Sequence, residues 1–343
     1  MSNFKNSFFY PKNYIIKLIF LVLVFIFTFI WSFSKGSTNI GISEIIDFFS
    51  SKEISEESKI IINQIRLPRV ILASMAGMSL ACSGMIMQGI FRNPLVDPFI
   101  IGVSGGASLG AGIALLFHFN FSVLGFDTLP LFAFLGSLVS IFFSYKFSLI
   151  KNILFIDRLL LSGIAISSLT SALLSLLLVI KGQDANSVIF WIMGSFSGKS
   201  WDSIKIVLPY FIISNIVFIT FLHKLNILSL GDEASENLGI DSQNIKIILI
   251  IFSSILSASI VSVSGVIGFI GMIIPQITRL FIKSNDFRFL YLPVLLLGGI
   301  ILTFSDTISR IILIPQEIPV GIFTALLGVP FFIFLLRADK KIL

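Results

Sequence analysis

Long apolar runs separated by short polar breaks dominate this chain. Uncharged stretches occupy residues 18–34, 70–91, 98–117, 128–145, 159–180, 206–222, 289–305 and 318–336. Each approaches the roughly 20 residues of helix needed to cross a hydrocarbon core about 30 Å thick. A ninth stretch, 247–278, would measure about 48 Å as one helix, too long for one crossing. Gly265, Gly268, Gly271 and Pro275 fall in its second half, so the stretch is expected to break near Ser264–Gly265. Ten spans result. A further apolar piece, 185–198, is too short to cross and is expected to form a short half-helix on the surface or re-entering it.

Composition agrees with this pattern. The 343 residues are 56% hydrophobic and only 12% charged, and the mean hydropathy is +1.02. Soluble domains carry about 25% charged residues, so a soluble enzyme, a disordered tail and a disulfide-framed secreted domain are excluded. Runs this long and continuous also argue against an outer-membrane barrel, whose strands alternate. The fold class expected is an all-α polytopic membrane protein, one transmembrane domain over residues 1–343. The lysines before residue 18 resemble the start of a signal peptide, but the run lacks a small-residue cleavage pattern and is read as a retained first span. The lone Cys82 and the two histidines, His118 and His223, offer neither a disulfide nor a metal cluster.

An even number of spans puts both termini on one side. With both in the cytoplasm, 15 Lys/Arg fall inside and 9 outside, the expected positive-inside bias. The net charge of +6 is then a consequence of topology and does not call for nucleic acid. On this reading residues 1–13 and 338–343 are cytoplasmic tails, 35–66 an outer loop and 223–245 a cytoplasmic loop.

Two motifs suggest nucleotide chemistry and fail. Gly194-Ser195-Phe196-Ser197-Gly198-Lys199-Ser200 is one residue short of a phosphate loop and lies outside any βαβ pattern. Val103-Ser104-Gly105-Gly106-Ala107 lies within an apolar helix, and no Walker sequence accompanies it. Gly102, Gly105, Gly106, Gly110 and Gly112 are better read as sites of close helix packing in lipid. No catalytic set is visible, and the spans hold almost no ionisable groups. That argues against an ion-driven carrier and against a channel lined by charged rings.

Three segments are specific. Arg66-Leu67-Pro68-Arg69 precedes an apolar helix that ends in Gln88-Gly89-Ile90-Phe91-Arg92-Asn93-Pro94-Leu95-Val96-Asp97-Pro98. Leu228-Ser229-Leu230-Gly231-Asp232-Glu233-Ala234 is followed by Leu238-Gly239. Gly268-Phe269-Ile270-Gly271-Met272-Ile273-Ile274-Pro275-Gln276 is followed, further on, by Glu317-Ile318-Pro319-Val320-Gly321. From about residue 58 to 337 this order closely resembles the FecCD family, the permeases of ATP-binding-cassette importers for ferric siderophores, haem and cobalamin. Gln276 departs from the His or similar residue often found there. Trp191-Ile192-Met193-Gly194 matches the family's outer half-helix, which also accounts for the false phosphate loop.

The resemblance implies an assembly in the cell (inner) membrane. Two copies of this chain, or one with a close paralogue, would frame the pathway. Two ATPase subunits would sit on the cytoplasmic side, and a solute-binding protein would dock outside. The chain itself would be no enzyme and hold no cofactor, MgATP residing on the partner ATPase. The cargo order it implies is ferric siderophore, then haem, then cobalamin. Readings from other classes are a secondary carrier working without an ATPase and a membrane-bound enzyme or assembly factor.

The resemblance also assigns sites. Gly231, Asp232, Glu233, Ala234, Leu238 and Gly239 would couple to the ATPase, the acids meeting basic groups of that partner. Ile156, Asp157, Ser162, Ser167 and Ser168 would line the pathway or gate, unless the serines bond back to their own helix. Arg66, Arg69 and Arg310 would receive carboxylates of the binding protein, the first two near a helix start at Pro68 where cations oppose the macrodipole. Snorkelling to lipid headgroups is the competing reading for these arginines.

Overall fold

With no water in a bilayer core, each apolar run must satisfy its own backbone, and the helix does so within one segment. The computed structural model describes residues 11–36, 44, 47, 50, 55–123, 126–182 and 185–337. The tails 1–10 and 338–343 and much of the 35–66 loop lie outside the described residues. The helices are α1 (Tyr14–Ser34), α2 (Glu56–Phe91), α3 (Val103–Leu116), α4 (Thr128–Ser148), α5 (Ile156–Ile180), α6 (Ala185–Ile192), α7 (Trp201–Leu228), α8 (Asp232–Asn237), α9 (Ser242–Ser264), α10 (Ile270–Ile282), α11 (Phe287–Ile311) and α12 (Val320–Arg337). Two-residue antiparallel hairpins precede α4 and α5, pairing Ser122 with Asp127 and Leu149 with Leu154. Seven helices, α1, α2, α4, α5, α7, α9 and α11, are long and apolar enough to cross a membrane. Three more, α3, α10 and α12, are apolar but shorter.

The break expected in the 247–278 stretch is present. α9 stops at Ser264, Gly265 takes a positive φ of 72°, and α10 starts at Ile270. Gly265 has no alternative, because a Cβ there would lie 2.1 Å from Trp191 O. α6 ends against this break: Ser195 N donates to Ser264 O at 2.8 Å, and Val320 N donates to Gly194 O at 3.0 Å. The half-helix therefore ties the end of α9 to the start of α12.

Two boundaries differ from the sequence expectation. Residues 56–66, read as loop, are helical. Ser55 caps the helix by accepting from Ser58 N, and Glu56 and Glu57 complement the first turn. Pro68 is thus inside a continuous helix. Just before it the chain widens into a π-helical stretch, Ile61–Arg66, where Leu67 N donates to Ile62 O, five residues back. The second difference lies at residue 98. Asp97 caps a 3-10 turn, Pro98–Ile101, and α3 begins only at Val103.

α2 is buried along most of its length and packs on α7, α9, α10 and α11. Its glycines allow backbone contact. A Cβ at Gly77 would lie 2.0 Å from Gly298 O, and one at Gly84 would lie 1.9 Å from Gly271 O. The close packing expected of the 102–112 glycines is found where α3 meets α4, with Gly106 against Gly136 and Gly110 against Phe132.

Candidate coupling, pathway and docking sites

α8 is a six-residue helix in the connection between α7 and α9. Gly231 enters it at φ 123°, a conformation open to glycine, with Arg92 beside it. Ser235 Oγ fastens α8 to the end of α7, donating to Gly231 O at 2.7 Å and Ile227 O at 3.2 Å. Of the two acids expected to meet a partner, the structure separates the roles. Glu233 is exposed. Asp232 is half-buried and accepts from Lys246 Nζ at 2.6 Å. Lys246 is 2% exposed, so its ammonium fixes the Asp232 carboxylate to α9. Leu238, 62% exposed, and Leu230 stand on the surface with Glu233 and Gly239, while Ala234 is half-buried. A small surface of two leucines and two exposed acids, Glu233 and Glu236, results.

A second cluster at the same end of the bundle escaped the sequence reading. Gln88 Oε1 accepts from Gln276 Nε2 at 2.8 Å and from Arg279 Nη1 at 2.7 Å, using both lone pairs. Gln88 Nε2 donates to Met272 O at 2.9 Å, and Gln276 Nε2 also reaches Pro94 O at 2.8 Å. Gln276 is therefore a bridge between α10 and the α2–α3 turn. Asp97 closes that turn by accepting from Phe99 N at 2.9 Å, and burial pushes its carboxyl up to about 6. Only the presence of amides in a quoted motif signalled this cluster, since its partners lie almost 190 residues apart.

On α5 the structure brings some expected pathway residues together and parts others. Asp157, Leu161, Ile164, Ser168, Ser171, Ser175 and Val179 are all exposed. Their i, i+3/i+4 spacing makes them one stripe. Ser171 and Ser175 were missed, although the same spacing from Ser168 pointed to them. Ile156 is half-buried beside the stripe. Ser162 donates back to Arg158 O. Ser167 lies against Gly105 of α3. Ser162 and Ser167 are half-buried and fall off the stripe, which leaves Ser168 on it; Ser175 on the stripe likewise donates back, to Ser171 O at 2.9 Å.

The arginines lie at the opposite end, and the premise of exposure at a helix start is corrected. All three are buried and enclosed by the chain. Arg66 donates to Phe33 O and Ser34 O, both at 3.1 Å. Arg69 grips Asp306 with Nε and Nη2 and Glu317 with Nη1, at 2.9–3.2 Å. Arg310 reaches Asp306 Oδ2 at 3.2 Å and Ser32 Oγ at 2.9 Å. Asp306 is 1% exposed and Glu317 27%. The cluster clasps α1, α2, α11 and the α11–α12 connection. Pro68 did not signal it; the carboxylates that complete it stand 237 and 248 residues after Arg69.

A bundle of apolar helices with glycine seams, a half-helix at one end and a short helix displayed at the other is that of a multi-pass membrane protein. A profile of the FecCD transport family matches residues 23–338, and the chain belongs to that family, whose members are permease subunits of ABC importers with the ATPase on a separate chain. It is 38% identical to the cobalamin import system permease protein BtuC of Halobacterium salinarum, over 84% of this chain and 76% of that one. It is 34% identical to the Fe(3+)-citrate import system permease protein YfmE of Bacillus subtilis, over 96% of this chain and 97% of that one. Its fold matches a structure described as an inward-facing conformation of a metal-chelate type ABC transporter. The TM-score is 0.82 at 32% identity, covering 93% of this chain and 98% of that one.

Proposed function

We propose that this chain carries a metal chelate across the cell membrane as one half of a permease dimer, with a ferric siderophore as first cargo, haem second and cobalamin third. Relatives named for cobalamin and for Fe(3+)-citrate support the chemical class. Ten crossings are proposed, by α1–α5, α7 and α9–α12, with both termini cytoplasmic. The excess of Lys/Arg on that side supports the orientation. Two copies face each other across the α5 stripe, whose hydroxyls offer hydrogen bonds to a solute without burying charge.

The observation that carries the reading is α8, held from behind by Lys246 and presenting Leu230, Glu233 and Leu238 outward. Such a surface suits a cleft in an ATPase that supplies an apolar floor and a basic group. At the other end, a solute-binding protein docks beside Arg66, Arg69 and Arg310. Because Arg69 is already held by two carboxylates, an acidic residue of that partner has to displace Glu317, the more exposed of the two.

Glu233→Lys tests the coupling surface. The variant inserts at wild-type levels, but uptake falls to background because the ATPase no longer engages α8. Wild-type uptake in that variant refutes the assignment.

A further inference from the structure

Behind the surface that α8 displays, Lys246 is the enclosed member of an ion pair with Asp232, its side chain 2% exposed against 42% for the acid. Lys246 lies in the second turn of α9, with its side chain 2% exposed. Among the described residues its Nζ donates one hydrogen bond, to Asp232 Oδ1 at 2.6 Å. Asp232 is the first residue of α8.

The other side-chain ties from α8 to α9 and to the end of α2 are weaker. Arg92 approaches Asp232 only to 4.0 Å, with both side chains more than two-fifths exposed, so water screens that pair. Ser242 Oγ reaches Glu236 Oε1 at 3.4 Å, near the limit of a hydrogen bond. Ser235 Oγ bonds toward α7 and the entry glycine, while its carbonyl accepts from Ile240 N at 3.0 Å in the short connection to α9. If α8 is pushed or tilted, the exposed ties can exchange for water at little loss. The Lys246 ammonium has no such exchange, because separation leaves a buried charge without a partner. Asp232 and Lys246 therefore move together.

What moves with Lys246 is α9. That helix is buried over most of its length and packs on α2, α4 and α7. It ends at the Gly265 break, against the half-helix α6. One ion pair thus links the displayed helix at one end to a central helix that reaches the other end.

We propose that the Lys246–Asp232 pair is the strut that transmits motion of α8 into α9, with Lys246 as the positioning residue. This rests on the reading of α8 as the ATPase contact. It goes beyond that reading because Lys246 does not touch the ATPase.

The test uses the full assembly reconstituted in vesicles, with solute uptake and ATP hydrolysis measured on the same sample. In Lys246→Met the exposed face of α8 is untouched, so the ATPase still co-purifies, while solute moved per ATP falls by about tenfold. Lys246→Arg restores the charge and recovers most of that ratio. Should Lys246→Met fail to accumulate, Asp232→Asn serves in its place, since it keeps the shape and an acceptor for Nζ but weakens the link. The same drop in solute per ATP is expected. A wild-type ratio in either Lys246→Met or Asp232→Asn overturns the strut. Failure of the underlying reading looks different: Glu233→Lys then transports normally, whatever the Lys246 variants do.

Discussion

Asp97 shows what a single side chain contributes. Its Oδ1 caps the 3-10 turn through Phe99 N, while burial raises its carboxyl from an ordinary value of 3.8 to about 6. The folded chain therefore binds this proton more tightly than the unfolded chain does. Between those two values the native state holds more protons than the unfolded one, so this residue's contribution to stability falls as pH rises and levels off above about 6. Asn is as good a cap as Asp and cannot ionise. Asp97→Asn should gain a few degrees in Tm over the native chain at pH 7.5 and lose that advantage near pH 4. Thermal unfolding of the detergent-solubilised protein at both pH values measures it. A gap that stays constant with pH would show that the cap, rather than the charge, matters.

Among the elements, α2 and α10 meet through backbone. A Cβ at Gly84 would sit 1.9 Å from Gly271 O, so the two helices must part to admit even alanine. Gly84→Ala is expected to lose about 1–3 kcal/mol or more, the usual range for an overfilled core. Gly268→Ala is the control, because nothing lies within 4 Å of a Cβ there. Unfolding midpoints of the two variants should differ clearly. The elements were largely legible in the sequence, for physical reasons. Apolar length announced the seven long helices, and a stretch too long for one crossing announced the break at Gly265. Helix starts outside the apolar stretch were not legible. Glu56 and Glu57 look like loop, yet a serine cap and the helix dipole extend α2 over them. The site was less legible still. Family motifs pointed to Glu233 and Ser168, but they could not show that Asp232 pairs with Lys246, that Ser162 bonds to its own helix, or that the arginines are enclosed. Each of those outcomes depends on a partner brought in by tertiary packing.

At the scale of the whole molecule, the exposed stripe on α5 is the face proposed to meet a second copy. In a background with Cys82 replaced, Ser168→Cys and Ser171→Cys should each cross-link two copies in at least one nucleotide state. Ser167→Cys, half-buried where the α5 backbone packs on Gly105 of α3, should not. Equal cross-linking at all three positions would mean that the stripe does not define the contact, and its absence at all three would move the interface elsewhere. The arginine clasp has a consequence for the birth of the chain. Arg69 enters the membrane early, but Asp306 follows it by 237 residues. At about 5–20 residues per second, the ribosome needs roughly 10–50 s to deliver that carboxylate. Through that interval α2 carries a guanidinium that the finished protein encloses. The nascent chain must keep it near headgroups, water or the insertion machinery. A chain ending before residue 306 lacks both carboxylates that hold Arg69 in the finished protein.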